Sequence, residues 1–125
     1  MNMTPTKTTI KRIITMAAGT SVSTVIDKSH YTRMFIIMPA GWDIADMRFF
    51  VSDSLNGVFR KLEWGSSGNE VTIFAQESVT IGLNGSTGEA LAASPFVKIR
   101  SITKGLSTPK NQTANRKFII ILSRW

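Results

Sequence analysis

The sequence predicts an all-β protein, an antiparallel β-sandwich or jelly roll of about eight strands, and three observations carry that prediction. Between Met34 and Ser54 the chain reads MFIIMPAGWDIADMRFFVSDS. Two apolar runs flank a Pro-Ala-Gly-Trp break, and both runs are too short and too hydrophobic for anything but core strands meeting at a corner. Similar runs recur along the chain, separated by Gly-, Asn- and Pro-containing turns roughly every eight to twelve residues. Almost no segment has the length or period of a helix. A five-stranded OB barrel would leave several of these strands unused.

Met1 to Thr9 is Thr- and Lys-rich with one Pro, too polar to pack, and reads as a flexible basic arm on a single domain spanning residues 10–125. Ile10 to Met16 is the first strand. Val22 to Asp27 alternates after a turn at Gly19, Arg33 to Met38 reads as fully buried, and Met47 to Ser52 is the fourth strand. Gly41 to Asp46 has spacing that supports one helical turn. Asn56-Gly57 predicts a tight hairpin turn because both residues tolerate positive φ, with Val58 to Trp64 as the partner strand. Glu70 to Ala75 and Ser78 to Leu83 follow. The glycine-rich stretch from Gly82 to Gly88 lacks the Lys of a phosphate cradle and reads as loop, and Glu89 to Ala93 offers at most a helical turn. Phe96 to Ile102 alternates, with Lys98 and Arg100 on one face. Lys117 to Ser123 is the last strand, ending at Arg124-Trp125.

Composition excludes several classes. There is no cysteine, hence no disulfide framework and no thiolate metal site, and a cytoplasmic origin is expected. Lys7, Lys11 and Arg12 precede Ile13 to Ala18 as a secretory n-region would. That apolar run is too short and is broken by Gly19, so no signal peptide is expected. The longest apolar stretches are strand-sized rather than ~20 residues, so no membrane span is expected.

The net charge of +7 is unevenly placed. Residues 1–33 carry five basic residues against Asp27, residues 34–97 three against seven acids, and residues 98–125 seven against none. Basic ends around an acidic middle suit a nucleic-acid face, subunit-to-subunit packing, or attachment to an acidic protein surface.

No constellation of residues carries a catalytic set. His30 is the sole histidine, and Asp27, Ser29 and His30 crowd into one turn that cannot align as a triad; a loop histidine is the plainer reading. One His and no Cys leave zinc without its usual ligands. Asp43 and Asp46 lack the calcium-loop pattern and read as turn caps. Pairs drawn from Glu63, Glu70 and Glu77 carry no specific signal for glycoside hydrolysis. Trp42 reads as a core plug at the strand corner. Trp64, before a turn, is evenly balanced between core and an exposed stacking role, and Trp125 either seals the core or docks on a neighbour. Phe96, Lys98, Arg100, Arg116, Lys117 and Phe118 combine charge and aromatics as a single-strand nucleic-acid site does. Strand alternation leaves too few stacking platforms for it, which argues against a nucleic-acid partner.

The order of Ile37-Met38-Pro39-Ala40-Gly41-Trp42, Phe50-Val51-Ser52, Asn69-Glu70-Val71, Val97-Lys98-Ile99-Arg100-Ser101 and Thr108-Pro109-Lys110-Asn111-Gln112, leading to Arg116 and a final apolar strand, resembles a group of small virion proteins of tailed bacteriophages. The resemblance covers roughly Val22 to Arg124. The turn from Ser52 to Gly57 departs from it by lacking an Asp-Gly-Gly type sequence. Proteins of this kind are similar to capsid decoration, or cement, proteins: β-sandwiches that sit as oligomers, often trimers, on the head lattice. The resemblance implies a non-enzymatic structural protein without cofactor or metal, made in the host cytoplasm and carried on the capsid surface. Its implied partners are the major capsid protein and further copies of itself. The expected contacts are Lys7, Lys11, Arg12, Trp64, Lys98, Arg100, Arg116, Lys117 and Trp125. The rival reading is a carbohydrate- or receptor-binding sandwich of a head or tail fibre, or another neck or tail component.

Overall fold

The computed structural model describes residues 8–65, 68–83 and 85–124. Its elements are β1 (Thr8–Met16), β2 (Ile26–Asp27), β3 (Arg33–Ile37), β4 (Asp46–Ser52), β5 (Arg60–Lys61), β6 (Ile73–Phe74), β7 (Thr80–Leu83), α1 (Gly85–Ala92), β8 (Phe96–Ile102) and β9 (Arg116–Arg124). The fold is all-β, with two antiparallel sheets. One has four strands in the order β1-β9-β3-β7, and the other has the order β2-β8-β4-β5 with β6 also paired to β4.

Alternation fixes which side of each sheet faces inward. β1 and β9 pair over nine positions, from Thr8↔Arg124 to Met16↔Arg116. Ile14 and Met16 therefore share a face with Phe118 and Ile120, and β3 adds Met34 and Ile36. These meet Ile26, Met47, Phe49, Val97 and Ile99 of the five-stranded sheet in one cluster. Burying such side chains is the main stabilising contribution, about 1.5–3 kcal/mol each. Trp42 closes the core at the corner between β3 and β4. It is buried, and its ring meets Phe118 edge-on at 5.5 Å. The corner turns at Gly41, whose φ of 73° suits glycine.

The structure departs from the sequence reading at identifiable places. β1 begins at Thr8, so Thr8 and Thr9 are strand rather than arm; the rest of the arm lies outside the described residues. β3 and β9 are buried on one face only: Phe35 is 42% exposed, and Ile37, Ile119 and Ile121 are half-buried. Asn56-Gly57 is not a two-residue hairpin turn. Phe50 pairs with Lys61 and Val51 with Arg60, so the loop is wide; Gly57 N–H donates to Ser54 O at 3.2 Å, and neither Asn56 nor Gly57 has positive φ. The partner strand shrinks to Arg60–Lys61. No helical turn forms between Gly41 and Asp46.

The glycine-rich loop is partly the helix α1. Leu91 anchors it in the core, and Lys28 holds its C-terminal end: Lys28 Nζ donates to Leu91 O at 2.7 Å and Ser94 O at 2.9 Å. A cation at the negative end of a helix satisfies carbonyls that have no intrahelical partner. Lys28 is only 1% exposed, and this burial lowers its pKa below the ordinary lysine value.

Candidate protein interface

Two of the arginines expected at an interface are consumed inside the fold. Glu70 Oε1 accepts from Arg48 Nη1 at 3.3 Å and lies 3.8 Å from Lys61 Nζ, while its Oε2 pairs with Arg100 Nη1. Arg100 is 6% exposed and its guanidinium lies 4.3 Å from the centroid of the Phe50 ring. The alternation of β8 does put Lys98 and Arg100 on the outer face, but residues around Glu70 cover Arg100. Lys98 lies over the Phe59 ring, 4.4 Å from its centroid.

Arg116 points inward at the start of β9. Its Nη2 donates to Asp43 Oδ1 at 3.2 Å and its Nε to Gln112 Oε1 at 3.1 Å. Thr113 donates its backbone N–H to Asp43 Oδ2 at 2.6 Å and its hydroxyl to Asp43 Oδ1. These two bonds first, and Arg116 after them, hold the Asp43 carboxyl below the usual carboxylate range. Asp46 accepts from the Gly105 backbone N–H at 3.2 Å. Both aspartates therefore cap loops, as their spacing suggested. His30 is an exposed loop residue, and among the described residues no group of three or more His, Cys, Asp or Glu could hold a metal.

The remaining expected contacts separate. Lys11, Arg12 and Lys117 are exposed. Arg12 lies close enough to Asp27 to help hold that carboxyl low, after the two hydrogen bonds from Ser29. Trp64 is half-buried against the core, and its backbone N–H donates to Asn69 O at 2.8 Å. Lys7 and Trp125 lie outside the described residues.

What the structure does bring together is the outer face of the four-stranded sheet. Register aligns Ile13, Ile119, Ile37 and Thr80 in one row and Lys11, Ile121, Phe35 and Gly82 in the next. Ile13 is 60% exposed. Gly82 has a specific role: a Cβ there would come within 2.8 Å of Phe35 Cε1, so the missing side chain lets the ring lie across β7. Thr15 and Lys117 form a row on one side of this apolar centre; Thr9, Ser123 and Arg33 form a row on the other. The four strands contain no Asp or Glu. At strand spacings of ~4.8 Å and side-chain rows ~6.8 Å apart, the sheet face spans roughly 15 by 20 Å. Sequence reasoning found Lys11 and Lys117 but missed the isoleucines, because continuous apolar runs read as strands covered on both faces.

No protein-family model matches the chain, and no curated protein sequence does. Among solved structures the chain is similar to the crystal structure of SPBc2 prophage-derived protein YomS, with a TM-score of 0.53 and 14% sequence identity, over 98% of this chain and 100% of that one. At that identity the likeness concerns the fold.

Proposed function

We propose that the chain is a non-enzymatic structural protein of a tailed-phage particle, a β-sandwich of jelly-roll type that binds the head lattice as a decoration, or cement, protein. The observation that carries this reading is the outer face of the four-stranded sheet, an apolar centre on strands whose own charges are all positive. Sheet faces left in water ordinarily alternate to polar residues, and contiguous apolar patches of a few hundred Å2 mark interaction sites. The prophage origin of a protein with a similar fold supports the phage assignment. The mechanism is mass action: a protein that binds the assembled lattice and not its dissociated subunits stabilises the lattice by about 2.7 kcal/mol at a concentration one hundred times its Kd. A carbohydrate-binding role is less well served, because Trp42 is buried in the core and Trp64 is half-buried.

The test is heat release of DNA from particles. Particles made without the protein should release DNA at lower temperature than complete ones, and adding purified protein should restore the difference. Equal release temperatures would remove the cement role.

A further inference from the structure

We infer that the outer face of the four-stranded sheet docks a different protein, one that presents an apolar patch flanked by carboxylates, rather than a second copy of this chain. The inference rests on the proposed structural role and names the partner chemistry at that site. Ile13, Ile119, Ile37, Ile121 and Phe35 supply the apolar centre, and the missing side chain at Gly82 makes room for the edge of the Phe35 ring. Lys11 and Lys117 stand on neighbouring strands on either side of the Ile13–Ile119 row, both exposed. Charge selects the partner. The four strands hold no Asp or Glu, so two copies packed strand face on strand face would set the lysines against apolar groups or other cations of those strands. A groove of about 570 Å3 runs beside Phe35, lined by Thr32, Met34, Leu83, Glu89 and Ala92 among others. Glu89 lines that groove on the β3 and β7 side of the sheet rather than on β1 and β9, which carry the lysines, and among the described residues no carboxylate pairs with either lysine. A partner with carboxylates opposite Lys11 and Lys117 gains electrostatic steering, and the isoleucines set the register once it has docked.

The experiment treats intact particles with a zero-length carbodiimide, which joins amines to carboxylates in contact, and maps the joined peptides by mass spectrometry. Lys11 and Lys117 should be found joined to Asp or Glu of another particle protein. In parallel, the surface variants Lys11→Glu with Lys117→Glu, and Ile13→Ser alone, should each weaken rebinding to stripped particles at least tenfold. Binding by the charge variant should also lose its salt sensitivity, while both variants melt like the parent. Joining to carboxylates of a second copy would overturn the inference. So would unjoined lysines in particles that contain the chain, the outcome expected if a phosphate polymer occupied the face. Absence of the chain from particles would instead remove the structural role itself, and the docking inference with it.

Discussion

Replacing Glu70 by glutamine changes one oxygen to an amide and keeps the side chain's shape, yet it should be among the most damaging single substitutions in the protein. Glu70 answers Arg48 and Arg100 together and stands near Lys61. Lys61 is 57% exposed on its side chain and contributes little. The other two are mostly buried, and glutamine can accept from one while turning its own N–H groups toward the other. Breaking a buried pair costs about 3–5 kcal/mol because a charge is left in low dielectric. The lower end applies here, since Arg48 keeps its bond to Thr72 Oγ1 at 3.0 Å and Arg100 keeps the Phe50 ring. With unfolding entropy near 2.1 cal/mol/K per residue, about 3 kcal/mol over this chain lowers Tm by roughly 11 °C. Calorimetry and a tryptophan-fluorescence denaturant titration would measure it, with m unchanged if only stability has moved. Lys61→Ala should cost less than about 1 kcal/mol. A Glu70→Gln variant melting within a degree or two of the parent, or a Lys61→Ala variant equally damaged, would refute the reasoning.

Three further predictions rest on single contacts. Gly41→Ala should destabilise by about 1–3 kcal/mol, because alanine is strained at a φ of 73° and its Cβ would meet Arg116 Nη1 at 2.9 Å; denaturant midpoints measure the change. Asp43→Asn should lose stability at neutral pH. The wild-type advantage should hold above the ordinary carboxyl pKa of 3.8 and disappear as pH falls through the lower folded value, since a depressed carboxyl stabilises only while ionised; melting curves from pH 7 to pH 2 follow it. For Lys28 the sign reverses: its folded pKa lies below 10.5, so between that folded value and 10.5 the unfolded chain binds the proton more tightly. The stability difference between wild type and Lys28→Met should therefore move in favour of wild type as pH rises toward 10.5, and movement the other way would contradict the burial account.

The strands that build the core were legible because each is an apolar or alternating run with clear boundaries. β8 matches its expected span, β4 starts one residue early, and β9 is longer by one residue at each end. The segment between Val58 and Ala75 was not, because it pairs with neighbouring strands only briefly and is tied down instead by Glu70, whose partners lie 9, 22 and 30 positions away in sequence. Ion pairing of that range leaves no local pattern. The same holds for α1, whose C-terminal carbonyls are held by Lys28 some 63 positions earlier. As for the interface, alternation identifies which residues share a face of β8, but it does not say whether another segment covers that face. Arg100 is lost to the surface for that reason. Conversely, Ile119 and Ile121 look like core residues because only the assembled topology reveals that, among the described residues, no second sheet packs on their side of β9.

Electron cryomicroscopy of the particles would show where the chain sits and what its four-stranded sheet touches. Many copies of this chain should repeat over the head lattice, with Ile13, Ile119 and Phe35 pressed against a neighbouring protein. Density only at the neck or tail, none in the particle, or copies on the head whose four-stranded sheet faces solvent would contradict this placement.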